Sequence, residues 1–191
     1  MKKKKRLLII EVIILLVLVG TMYFIMKDKK SSDALEEEVA IENEERIEKM
    51  EEIGHPMIVV SNAKIKKGDK VTVGIKVVNN PGILGMSATL SYDENVLKLI
   101  DVEEGTALKD VLTMSHSKDL SSGCSFLWDG EAIAEEQIKD GDILNLEFKV
   151  LKSASAGKSP VMFVLDENGI YDNELKLINL NVENGYVTVV E

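Results

Sequence analysis

Two histidines, one cysteine and a few clustered acids are the residues here that could do chemistry. A Ser–His–Asp triad would have to use His116, in Ser115-His116-Ser117, but nothing like a nucleophile elbow accompanies it. His55 stands in a linker, and no Cys/His spacing of the kind a metal needs occurs anywhere. Cys124 lies in an apolar run and reads as a buried structural thiol. Asp166-Glu167-Asn168-Gly169 superficially matches a calcium loop. Ile170 and Tyr171 then occupy the fifth and sixth positions, where the loop needs an oxygen ligand and a glycine, so the segment reads as a turn. Glu135-Glu136 could suggest a glycosidase pair, yet adjacent acids in a loop are usually just solvated. The expectation is a binding module, with no catalytic residues and no metal or cofactor of its own.

Charge narrows the class of partner. The net charge is −10, with 23 basic and 33 acidic residues. Its distribution is uneven: residues 1–30 carry eight Lys/Arg against two acids, residues 31–56 two against ten, and residues 57–191 13 against 21. An acidic domain repels phosphate backbones, which excludes nucleic acid as a partner.

The chain opens on Lys2-Lys3-Lys4-Lys5-Arg6 and an apolar run from Leu7 to Met26. Twenty helical residues rise roughly 30 Å, the thickness of a bilayer's hydrocarbon core. A signal peptide would have a shorter apolar region and a small-x-small cleavage site, which Gly20-Thr21-Met22-Tyr23 does not supply. The five basic residues before the span favour a cytoplasmic N-terminus and an exported C-terminal domain. Glu11, inside the run, reads as reaching water one turn from the cytoplasmic edge. It is also fifth from Leu7, as in a pilin-like helix, although Arg6 stands where such leaders carry glycine. The division expected is a basic tail at 1–6, a transmembrane helix at 7–26, an acidic linker at 27–56 and one domain at 57–191. Asp33 and Glu36 form a capping-box-like helix start, while Leu35, Val39, Ile47, Met50 and Ile53 make only a thin apolar stripe. The linker therefore reads as a solvated, self-repelling stalk that can be helical.

From Met57 onward, short runs alternate with Gly, Asn and Asp turns. The runs are Met57–Ile65, Val71–Val78, Met86–Tyr92, Val96–Val102, Cys124–Trp128, Leu144–Leu151, Val161–Leu165, Leu175–Leu180 and Gly185–Val190. Residues 105–122 read as a loop with one helical turn around 107–112. Period two places Met86, Ala88, Leu90 and Tyr92 inward, with Phe126, Trp128, Leu144, Leu146, Phe148 and Val150. Ser87, Thr89 and Ser91 then point outward, as do Ser125, Leu127, Asn145, Glu147 and Lys149. The fold expected is all-β, an antiparallel jelly-roll β-sandwich of about nine strands, preceded by one transmembrane helix and the acidic stalk.

Three motifs add a resemblance. Leu90-Ser91-Tyr92-Asp93-Glu94-Asn95-Val96-Leu97, followed by Val102-Glu103-Glu104-Gly105, resembles the L-x-Y-D-P-x-V-L … V-x-x-G pattern of cohesin domains. Glu94 stands in place of the usual proline. Residues 139–150 resemble the cohesin strand that begins at a D-G turn, and Asn184-Gly185-Tyr186-Val187-Thr188-Val189 resembles the closing N-G-x-V-T-V strand. The similarity implies a jelly-roll sandwich that binds a dockerin through one flat sheet face, with calcium held by the dockerin. It also implies that Ser87, Thr89, Ser91, Ser125, Leu127, Asn145, Glu147 and Lys149 contact that partner, and that Ser87 stands where many members carry an acidic contact residue. The chain would then tether dockerin-bearing secreted proteins, such as polysaccharide-degrading enzymes, to the cell surface from its membrane anchor. Two alternatives come from other classes: a surface module that binds polysaccharide itself, and a pilin-like structural protein. With one tryptophan, of core parity, the chain has little to build a sugar-stacking platform from.

Overall fold

The computed structural model describes residues 34–191. The anchor expected at 7–26, with Glu11 and the basic tail, lies outside the described residues. Among the described residues no helix is long and apolar enough to cross a membrane.

Among the described residues eleven strands form two sheets. The first contains β1 (Met57–Val60), β3 (Lys70–Val78), β5 (Leu97–Glu104), β8 (Gly141–Val150) and β10 (Asn181–Glu183), in the order β10-β1-β3-β8-β5. The second contains β2 (Ala63–Lys66), β4 (Gly85–Tyr92), β6 (Thr113–His116), β7 (Ser125–Asp129), β9 (Gly157–Leu165) and β11 (Gly185–Val190), in the order β2-β11-β9-β4-β7-β6. Between them lies the core that period two indicates. Met86, Leu90, Trp128, Leu144, Leu146, Phe148 and Val150 are fully enclosed. Phe126, Trp128 and Phe163 form its aromatic centre, with ring centroids 6.0–6.3 Å apart.

Four expectations change. The run 57–65 breaks at Ser61-Asn62, where the chain leaves one sheet for the other, so one strand becomes two. The expected loop at 105–122 contains β6, and Leu175–Leu180 forms no strand, contributing only a bridge from Leu177 to Tyr171. The sandwich is also not wholly antiparallel: β1 pairs with β10 and β2 with β11 in parallel. Both parallel pairs arise because the first and last segments of the sandwich run the same way and cross between the sheets side by side.

The Asp93-Glu94-Asn95 turn is tight, with the Val96 and Leu97 amides donating to the Asp93 carbonyl at 3.0 and 2.9 Å. It joins strands of opposite sheets, so it is a corner and not a hairpin. A bulge between Leu99 and Asp101 then flips the alternation of β5. Gly105, the glycine of the V-x-x-G motif, passes so close to the Asp142 carbonyl that a Cβ there would overlap it.

The acidic segment is helical over residues 34–53, here α1, and it does not stand free. Val39 is buried, and Asn43 makes a reciprocal pair with the Asn62 backbone: Asn43 Nδ2 donates to the carbonyl at 2.9 Å and the Asn62 amide donates to Asn43 Oδ1 at 2.8 Å. Arg46 donates to the carbonyls of Val60 and Asn184 at 3.2 and 3.3 Å and pairs with Glu183. Val39, Asn43, Arg46 and Met50 recur every three or four residues, so they share one helix face. That face mixes two apolar with two polar residues, a stripe too thin for hydrophobic periodicity to mark as buried. The expected free stalk is a docked brace.

Candidate docking face

β4 runs through the middle of the six-stranded sheet, with its inward residues in the core and Ser87, Thr89 and Ser91 outward. Register assembles the outer face around them, because directly opposed residues share a side. Ser115, Leu127 and Ser87 form one row, Ser125, Thr89 and Val164 a second, and Ser91 and Met162 a third. Leu127, Met162 and Val164 are 49, 41 and 49% exposed. Short hydroxyl side chains thus leave three aliphatic side chains standing proud, on strands that the core holds rigid.

Ser87 has a tighter setting than its parity suggests. The turn after β9 passes against it: the Asp166 amide donates to the Ser87 carbonyl at 3.0 Å, and a Cβ on Gly169 would overlap Ser87 Oγ. The same turn brings Asp166 Oδ2 to 3.4 Å from Ser87 Oγ. A carboxylate therefore does reach this spot, carried by the turn that follows β9. The segment Asp166–Gly169 is a turn, closed by Gly169 donating to the Asp166 carbonyl at 2.8 Å. Ser87, Thr89, Ser125, Leu127, His116 and Asp166 together line a shallow depression.

The eight residues expected to contact a partner do not share one surface. Ser87, Thr89, Ser91, Ser125 and Leu127 do; Asn145, Glu147 and Lys149 point out from β8, in the five-stranded sheet on the far side of the sandwich. Period two separates inward from outward but carries no information about which sheet a strand joins. The far face is also different in kind. Lys70 pairs with Glu147 at 3.0 Å and Lys76 with Asp142 at 3.4 Å, and Lys70, Lys149 and Lys98 form a row of like charge. Met162, Val164 and Asp166 were not among the expected residues. The alternation of Ser159, Val161 and Phe163 carries the signal for the first two, whereas Asp166 depends on a turn that only the folded chain defines.

The remaining reactive groups sit as follows. His116 is exposed on edge strand β6, with Nδ1 2.8 Å from the Ser117 carbonyl. Cys124 is 4% exposed, and burial pushes its thiol pKa up, away from the reactive thiolate. Trp128 is wholly enclosed and offers no surface to a sugar ring. Among the described residues no group of three His, Cys, Asp or Glu could hold a metal ion.

Comparison with curated proteins gives no match. Solved structures do resemble the chain. A non-cellulosomal cohesin from the hyperthermophilic archaeon Archaeoglobus fulgidus aligns with a TM-score of 0.60 at 19% identity, covering 72% of this chain and 92% of that one. The Coh-OlpA–Doc918 type I cohesin–dockerin complex from Clostridium thermocellum gives 0.62 at 21% identity, over 71% of this chain and 99% of that one. The seventh ScaB type I cohesin from Pseudobacteroides cellulosolvens gives 0.58 at 22%, over 71% and 92%. These likenesses concern the fold. The family model for the cohesin domain matches residues 57–189, the sandwich from β1 into β11 and well over half of the chain, and this protein therefore belongs to the cohesin-domain family.

Proposed function

We propose that this chain captures a dockerin-bearing protein on the outer face of its six-stranded sheet and holds it at a cell surface. The cohesin domain is a non-catalytic protein–protein interaction module, and the chain is not an enzyme. The observation that carries the docking site is the contrast between the two faces. One presents Leu127, Met162 and Val164 among small hydroxyls, while the other is charged and ion-paired. A helix packs closely where side chains are short and gains most from the aliphatic groups that project. Ser87, Thr89, Ser91, Ser125 and Leu127 are the contacts in this reading, with Met162, Val164 and Asp166 added. Asp166 makes no ion pair among the described residues, which suits a basic residue on the partner. Coh-OlpA is described in complex with the dockerin Doc918, and a partner of that type supports the same role here. Calcium belongs to the partner in this reading. The apolar run 7–26 is the anchor, with its N-terminus cytoplasmic and the sandwich outside. Polysaccharide-degrading enzymes are the cargo.

The test is direct binding of full-length protein, purified in detergent, to a panel of calcium-loaded recombinant dockerins. One or more should bind, and chelation should release them. Leu127→Arg should weaken capture by at least about 100-fold, as expected for a charge driven into the centre of an interface. Retention on insoluble glucan, with no dockerin bound, would replace this reading with a sugar-binding one.

A further inference from the structure

The outer face continues past β4. Gly85 pairs with Asp129 on one side and Tyr171 on the other, and Tyr171 pairs with Leu177. Gly85 has the outward parity of Ser87, so Tyr171 and Leu177 lie on the outer side, while Ile170 is buried and Ile178 packs on the core. Residues 171–177 thus form a small hairpin that widens the docking face.

The hairpin is held firmly. The Leu84 amide donates to the Tyr171 carbonyl at 2.7 Å, and Tyr171 donates back to Gly85 at 3.0 Å. Asn173 makes a reciprocal pair with the Ile133 backbone, accepting from its amide at 2.8 Å and donating to its carbonyl. At the tip, Asp172 donates to the Lys176 carbonyl at 3.0 Å, and its carboxylate accepts from the amides of Glu174 and Lys176 at 2.8 and 2.9 Å.

Folding does not explain what this scaffold presents. Leu175 has φ of +59° and is 73% exposed, and Leu177 is 58% exposed. The left-handed conformation is strained for a leucine, and turns of this kind ordinarily place glycine or asparagine there. Leu175 accepts that strain and buries almost nothing in return. A strained, exposed apolar residue on a rigid mount points to a use outside the folded chain.

We propose that the 171–177 hairpin is a second contact element of the docking face, with Leu175 and Leu177 as aliphatic anchors for the same helical partner. The inference rests on the docking reading above. From the Ser91–Met162 row to the Gly85–Leu177 row is six residues of β4, about 20 Å. A partner helix of about 13 residues spans that length. Lying along β4, it meets Met162, Val164 and Leu127 over its body and the hairpin at its end.

Full-length protein in detergent, titrated with the calcium-loaded dockerin panel, tests this with Leu175→Asn, Leu177→Ser, their double variant, and Leu127→Arg. Leu175→Asn should weaken binding at least about fivefold and the double variant about 20-fold or more, as truncated anchors do. The melting temperature of Leu175→Asn should stay level or rise, because asparagine tolerates the left-handed turn. If Leu177→Ser lowers the melting temperature, Leu175→Asn decides alone. The hairpin assignment is overturned if the double variant binds within about twofold of wild type while Leu127→Arg abolishes capture, a loss well short of what an interface anchor causes. Conversion of a dimer to a monomer by Leu175→Asn would put a second copy on the hairpin and overturn it as well. If no dockerin binds the wild-type chain, the docking reading itself falls, a result distinct from failure of the hairpin alone.

Discussion

At the scale of single residues, position 87 shows how packing can move a functional group. The turn at Asp166–Gly169 lies against Ser87, so a large side chain there must displace Gly169. Ser87→Leu should therefore cost about 1–3 kcal/mol of stability, the range for overpacking, whereas Ser87→Ala should melt close to wild type. Thermal unfolding separates the two. Asp166→Asn should leave the melting temperature nearly unchanged but weaken dockerin binding and flatten its dependence on salt, because the carboxylate no longer attracts a basic group. Binding isotherms at low and high salt check this. Inward residues such as Met86, Leu90, Trp128 and Phe148 were legible from alternation alone. Asp166 was not, since its place beside Ser87 depends on a contact between residues 79 apart in sequence.

Among the elements, the crossover between β1 and β2 concentrates the polar contacts. Asn62 is 5% exposed, and all of its groups are occupied. Its backbone pairs with Asn43, its side-chain amide donates to Glu42 at 2.9 Å, and its side-chain oxygen accepts from the Tyr186 amide at 3.2 Å. Asn62→Ala strands the Tyr186 amide and removes the bond to Glu42, while the backbone pair with Asn43 remains, a loss of about 1–3 kcal/mol for a buried donor left unsatisfied. Denaturant unfolding measures it. In the sequence this asparagine looks like any other polar residue between two apolar runs. Most strands were legible, with boundaries good to a few residues, because alternation is a local property; β6 and β10 were not. Strand neighbours were not, which is why β8 was expected beside β4 and β7 and lies instead between β3 and β5.

For the whole molecule, the consequential feature is that α1 belongs to the folded unit although the family match begins at residue 57. A chain trimmed to 57–191 loses the Asn43–Asn62 pair, the Arg46 contacts and the Lys64–Glu38 ion pair together. It should melt several degrees below a chain that retains residues 34–56, since about 1 kcal/mol moves a domain of this size by about 2–4 °C or more. Calorimetry of the two chains decides it. The half-polar docking stripe is also the part of the architecture least visible beforehand, because charge density argued for a rod in solvent. The docked helix also sets a reach. With an anchor at 7–26, only residues 27–33 separate lipid from folded protein, a leash of at most about 25 Å. A free helical rod would have added about 30 Å. Cargo captured on the sandwich would therefore be confined to a thin layer against the membrane, where it meets only what has already diffused to the surface.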